Sequence, residues 1–214
     1  MLYPITCVDN FFDNPNDIKN YAETLDYSCS EEGKWPGERS NYLHEINPDF
    51  FNWCSEKILS IYFPQVHEYL EWSAKMQFQR INGAEYDHEG WIHKDNIDSE
   101  FTAIIYLSEE SKCGTSIYKP KLDNFINYAK EKKEGYLNKK TNLKCLKENN
   151  SKFEKTINFD SSYNRIVLFD GGYLHGADNF GKEERLTLIT FFSNIKITNP
   201  EICLKYPISE MKRI

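Results

Sequence analysis

Apolar positions along this chain follow two different periods, and the change comes near residue 74. Ile18, Tyr21, Ala22 and Leu25 recur at i, i+3, i+4 and i+7, one face of a helix. Asn14-Pro15-Asn16-Asp17 just ahead of them reads as the helix N-terminus. Phe51, Cys54, Ile58, Leu59 and Tyr62 trace a second helical stripe, opened by Asn47-Pro48-Asp49 and closed at Pro64. Residues 31–47 between the two are polar and broken by Gly and Pro, which predicts loop.

Beyond residue 74 the period is two. Met76, Phe78 and Arg80 alternate with Gln77, Gln79 and Ile81. Residues 101–107, 115–118, 164–170 and 185–193 are short runs of β-branched and aromatic residues separated by turns containing Gly and Asp. Such strands predict a mainly β core, a sandwich or barrel, behind N-terminal helices. One stretch breaks the pattern. Residues 119–155 hold 11 Lys against 5 acidic residues, a local balance of +6. Phe125, Ile126, Tyr128 and Ala129 supply at least one amphipathic turn there. The segment reads as an insertion between core strands: a solvated flap, or a lid beside a site.

Composition narrows the class. With 214 residues, 40% of them apolar, and 14 Tyr, 14 Phe and 4 Trp, the chain can bury a full core in one domain. No apolar run approaches the length of a membrane span, so no membrane partner is expected. The first residues show no basic region followed by an apolar one, which predicts no secretory leader. The six cysteines are scattered without a CxxC pair, so a reduced, cytoplasmic protein is the expectation. A net charge of −7 disfavours general nucleic-acid binding.

Candidate chemistry begins at His93-Lys94-Asp95. In a strand, residues i and i+2 share a face, so His93 and Asp95 would aim an imidazole and a carboxylate at one spot. His175 follows the strand NRIVLFD, where a turn would carry its side chain back over the sheet end. Two imidazoles and one carboxylate form a facial set that leaves metal positions open. Ten residues on comes Arg185, and strand alternation puts Arg185, Thr187 and Ile189 on one face. A guanidinium in so apolar a strand needs a partner, and its fork matches a carboxylate. A metal hydrolase has no use for that arginine. The other histidines offer less. His88, in HEGWIH, lacks the HExxH spacing and reads as loop. His44 and His67 have no evident partners, and Trp91 reads as packing beside the metal.

The order HxD, about 80 residues, His, then ten residues to Arg resembles the Fe(II)/2-oxoglutarate-dependent oxygenases, in particular the prolyl 4-hydroxylase-like branch. The likeness covers roughly residues 76 to 194. It implies a double-stranded β-helix (jelly-roll) core in a single domain, 1–214. Residues 1–74 would be helical support, 75–118 and 156–198 the core, and 119–155 an insertion. It implies iron on His93, Asp95 and His175, with 2-oxoglutarate held by Arg185, Thr187 and Tyr106. Thr102 and Ile104 would share the Tyr106 face, and Phe191 would stand near the substrate. It further implies O2 as cosubstrate and hydroxylation of an unactivated C–H, with release of succinate and CO2. The strand before the motif departs from that branch, with Gln79 or Arg80 where it usually has a tyrosine, and Tyr86 nearer the motif. Peptidyl proline, a small molecule, and a non-catalytic β-helix binding role therefore all stay open.

Overall fold

Both proline-led stretches are helices in the computed structural model, which describes residues 3–64, 69–95, 98–121, 128–138 and 141–198. Helix α1 spans Pro15–Glu23, α2 spans Leu43–Ile46 and α3 spans Pro48–Tyr62. Proline is tolerated at a first turn because the N–H it lacks has no partner there. Asn47 caps α3, its side chain accepting a hydrogen bond from Phe50 N at 3.1 Å. Asn47→Ala is expected to cost about 1 kcal/mol, read as a lower urea midpoint at unchanged slope. Leu25 falls beyond the end of α1 but still packs against the core.

The polar stretch 31–47 is not all loop. It contains β3 (Glu38–Ser40) and α2, and β2 (Tyr27–Cys29) lies just ahead of it. Three-residue strands are too short to show a period. What forms them is pairing: Arg39 stands opposite Gln79 and Glu38 opposite Arg80 on the long strand β4 (Leu70–Asn82).

The remaining strands are β1 (Thr6–Val8), β5 (Phe101–Tyr106), β6 (Thr115–Pro120), β7 (Phe153–Phe159), β8 (Ile166–Asp170), β9 (Leu174–Ala177) and β10 (Glu184–Ile197). A seven-stranded sheet runs β1-β8-β5-β10-β4-β3-β2, and a three-stranded sheet runs β7-β6-β9. Every pairing is antiparallel. From β4 the chain alternates between them. The His93 segment bridges to β9 of the small sheet, β5 returns to the large one, and β6 and β7 lie in the small one. Then β8, β9 and β10 alternate again.

The large sheet is buried on both faces at its centre. Phe101, Ala103 and Ile105 join Leu188, Phe192, Met76 and Phe78 in a core shared with Cys54, Ile58 and Leu59 of α3. The opposite face presents Ile104, Tyr106, Val167 and Phe169 to Ile117 of the small sheet. All six residues of β5 are buried, which is why its sequence is a continuous apolar run rather than an alternation.

His175 belongs to β9 of the small sheet, paired with Ile117, just past the turn that follows β8. Four residues reading LHGA carry no strand period, and the neighbour β6 decides their conformation. The lysine-rich segment folds into α4 (Ala129–Asn138), α5 (Leu143–Asn150) and the start of β7. Phe125 and Ile126 lie outside the described residues. Tyr136 and Leu146 pack with Trp91. Asn150 accepts from Ile92 N at 3.1 Å and donates to Gly90 O at 2.9 Å, while Asn149 donates to Ile92 O at 3.2 Å. The segment is thus docked on the stretch that carries His93. Among the described residues no helix is long and apolar enough to cross a membrane.

Candidate metal centre and its pocket

Two backbone bonds hold the histidines together. His93 N donates to His175 O at 2.9 Å and His175 N donates to His93 O at 2.8 Å. This narrow antiparallel pair sets the two rings 4.5 Å apart, centroid to centroid. Each ring then uses Nδ1 on a carbonyl two residues back, Trp91 O at 2.7 Å for His93 and Tyr173 O at 3.0 Å for His175. A carbonyl only accepts, so each Nδ1 carries the proton and each Nε2 keeps its lone pair. His175 Nε2 lies 3.5 Å from Asp95 Oδ1, with the two side chains only 7% and 9% exposed. One ligand atom from each of His93, Asp95 and His175 falls within 4.8 Å of the others. Such a spacing lets all three reach one cation.

Charge and hydrogen bonding suit the same purpose. Burial, then the Lys132 charge and His175, hold the His93 imidazole well below the usual histidine range, so it is neutral at physiological pH. Neutral imidazole is the ligating form. Thr102 donates its hydroxyl to Asp95 Oδ2, which turns the carboxylate toward the histidines. Thr102→Val keeps the shape and removes that bond. It is expected to weaken metal binding by roughly 10- to 100-fold, measured by competitive chelation.

The other end of the same face is built around Arg185. The register pairs Thr187 with Tyr106, Ile189 with Ile104 and Phe191 with Thr102. Thr102 therefore marks the metal end and Tyr106 the far end, four residues or roughly 13 Å along the strand. Ile104 and Ile189 form the floor between them. Arg185 is buried; its Nε donates to Cys113 O at 2.9 Å and its guanidinium stands 5.5 Å from the Tyr106 ring. Tyr106 donates to Thr115 Oγ1 at 2.9 Å. The Thr187 hydroxyl is fully buried with no hydrogen-bond partner among the described residues. Burial lowers the Arg185 pKa, with Tyr106 and Cys113 opposing. The described arginines divide in two. Arg80 pairs with Glu184 and Arg165 with Asp9, whereas Arg185 and Arg39 have no carboxylate at ion-pair distance among the described residues.

Arg39 is a residue that sequence reasoning missed, and so is Lys132. Arg39 lays its guanidinium 4.4 Å over the Trp35 ring and 5.8 Å from the Phe191 ring. Lys132, on α4, lies 5.9 Å from the Tyr136 ring. Burial lowers Arg39 to about 10 and Lys132 to about 8, with the Asp95 charge acting against it in both. No sequence signal marks either: Arg39 sits in a Gly-broken polar stretch, and Lys132 is one lysine among many. A cavity of about 820 Å³ opens beside His93 and is lined by Trp91, Ile117, Tyr128, Lys132 and Tyr173, among others.

The remaining candidates sort cleanly. Gln79 is buried on the pocket face opposite Thr187, while Arg80 points to the other face, 4.1 Å over the Tyr27 ring. Tyr86 packs with Ile81 and Phe180 and accepts from Gly37 N at 3.0 Å. His88 Nδ1 contacts Glu89 O, and His44 stacks on Tyr42; neither joins the metal group. His67 lies outside the described residues.

Residues 2–187 match the family described as "Family of unknown function (DUF6445)", and the chain belongs to it. No curated protein matches it in sequence. Similar solved structures include HygX from Streptomyces hygroscopicus with nickel and 2-oxoglutarate bound, at 14% identity and TM-score 0.58, over 88% of this chain and 82% of that one. HygX has also been solved with hygromycin B bound. A 2OG-Fe(II) oxygenase family oxidoreductase from Burkholderia pseudomallei matches at 13% identity and TM-score 0.55, over 88% and 84%. A prolyl 4-hydroxylase from Phytophthora capsici matches at 15% and 0.52, over 98% and 68%. The fold is shared with these proteins.

Proposed function

We propose that this chain is an Fe(II)- and 2-oxoglutarate-dependent dioxygenase on a double-stranded β-helix core, acting on a small molecule. The observation that carries the reading is the convergence of His93, Asp95 and His175 within 4.8 Å at one end of a face whose other end holds a buried arginine with no carboxylate at ion-pair distance among the described residues. In this reading the three residues are the iron ligands, and Arg185, Thr187 and Tyr106 receive the distal carboxylate of 2-oxoglutarate. Bound iron would supply the chemistry, using O2 and 2-oxoglutarate to hydroxylate an unactivated C–H with release of succinate and CO2.

The chain itself positions and shields. The Nδ1 bonds fix both imidazoles, and Thr102 fixes Asp95. Ile104 and Ile189 give the cosubstrate's methylenes an apolar floor, and the docked α4 and α5 limit water beside His93. Alternation of β4 to β10 between two sheets supports the β-helix core. The cavity is of small-molecule size. Gln79 in place of a pocket tyrosine separates the site from the prolyl hydroxylase pattern.

Anaerobic addition of Fe(II) and 2-oxoglutarate tests the reading. Chelation of a 2-oxo acid to the iron is expected to give a visible charge-transfer band. Iron-loaded, folded protein that shows no band with 2-oxoglutarate would overturn it.

A further inference from the structure

The cavity beside His93 has aromatic walls on two sides. The first turn of α4 forms one of them, where Lys132 N donates to Tyr128 O at 2.9 Å. A spacing of four residues puts those two side chains on one face of the turn, and both line the cavity. The Trp91 ring, also in the lining, stands 6.2 Å from that of Tyr128. The small sheet supplies the facing wall through two cross-strand pairs, Tyr118 with Leu174 and Pro120 with Phe153.

Charge in this lining has one sign. Lys94, Lys119 and Lys132 line the cavity and no Asp or Glu of the described residues does, in a chain whose net charge is −7. Lys119 pairs with Glu154 at 3.2 Å, both side chains more than half exposed, so that pair is a solvated rim. Lys94 is exposed as well. Lys132 is only partly exposed, and among the described residues no carboxylate lies at ion-pair distance from it. An ammonium set among rings is drawn to a counter-ion more strongly than one in open water.

We propose that this cavity is the substrate pocket and that the substrate is a small aromatic acid, its ring against the Trp91 and Tyr128 walls and its acidic group on Lys132. The inference rests on the oxygenase reading and adds to it the class of substrate. Flat apolar rings pack well on aromatic side chains, which supply the area. The ammonium is a point charge that takes a carboxylate or a phosphate, and it fixes the orientation. His93 borders the same cavity, so part of the bound molecule stands beside the metal ligands. A cationic or carbohydrate-like substrate would meet three lysines and no carboxylate.

The test uses the full chain loaded with Ni(II) and 2-oxoglutarate, so that binding is read without turnover. Calorimetric titrations would cover phenylpropanoic acid, indolepropanoic acid, phenylalanine and tryptophan, each beside its primary amide. Phenyl phosphate beside phenol tests the other anion, and butanoic acid and hygromycin B are the contrasts. At least one ring-bearing acid is expected to bind, with its neutral partner and butanoic acid each weaker by about tenfold or more. Lys132→Gln and Tyr128→Ala are each expected to weaken that acid by about tenfold, with the affinity for 2-oxoglutarate unchanged. Lys132→Arg, which keeps the charge, is expected to recover part of the loss. Lys130→Gln, at an exposed position of α4 paired with Glu134, is the control and should bind as the wild type does. Melting temperatures of all variants separate lost binding from lost fold, and the Lys132 and Tyr128 variants test the pocket independently.

A tighter carboxylate or a tighter phosphate each supports the proposal and says which anion Lys132 receives. Several outcomes sink it: no ring-bearing acid binds although 2-oxoglutarate does, acid and neutral partner bind alike, or hygromycin B is preferred. Loss of 2-oxoglutarate binding in a folded Lys132→Gln protein would also overturn it, by assigning that ammonium to the cosubstrate. Failure of the wild type to bind 2-oxoglutarate at all would instead refute the oxygenase reading beneath it.

Discussion

His93→Ala is expected to abolish the charge-transfer band and to weaken metal binding by at least ~100-fold, more than loss of an outer hydrogen bond does. Two ligands cannot hold a cation as three do, and the imidazole removed is the one burial keeps neutral. The fold should survive, because His93 and His175 are joined by backbone bonds that alanine still makes. Iron content by competitive chelation, with the melting temperature measured alongside, checks both halves. The matched control is His88→Ala, whose ring packs on Tyr86 and Phe180 outside the metal group and should leave the band intact. A variant that loses metal only because it unfolds would show a lowered melting temperature. A His93→Ala protein that keeps normal iron affinity would remove His93 from the ligand set.

Arg185→Gln is expected to leave metal binding unchanged and to raise the Kd for 2-oxoglutarate. Truncating one partner of a buried, hydrogen-bonded charge pair costs about 2–4 kcal/mol, or roughly 30- to 700-fold. Anaerobic titration of the band reads this directly, because its amplitude reports the chelate and its midpoint reports affinity. A midpoint that does not move would show that the far carboxylate is held elsewhere, with Arg39 the next cation to examine. The split between metal and cosubstrate effects follows from position. Thr102, beside Asp95, pairs with Phe191, whereas Tyr106, at the Arg185 end, pairs with Thr187.

Much of the site was legible in the sequence because its parts are held by short-range rules. His93 and Asp95 share a spot because they are two residues apart. Arg185 and Thr187 share a face for the same reason. The long stripes of α3 and β5 showed plainly, since several residues repeat one period. The short pieces did not show. β1, β2, β3 and β9 run three or four residues each, and their conformation comes from neighbours they pair with. His175 follows the strand NRIVLFD in the sequence, and only the pairing of β9 with β6 shows that it stands in a strand of the small sheet.

What the sequence alone determined was which residues are candidates for the metal end and for the Arg185 end, together with helices first and β strands after. Periods of 3.6 and two and the fixed order of ligands are properties of neighbours along the chain. Only the tertiary structure decided how the rest of the pocket is charged. Arg39 and Lys132 are more than 90 positions apart and unremarkable in their own stretches. Lys132 lines the cavity beside His93, where α5 docks through Asn149 and Asn150 on the segment before the motif, and Gly33 lets the N-terminal loop touch α4. Long-range packing of that kind leaves no period in the sequence. A charge becomes informative only once its surroundings show that it has no partner.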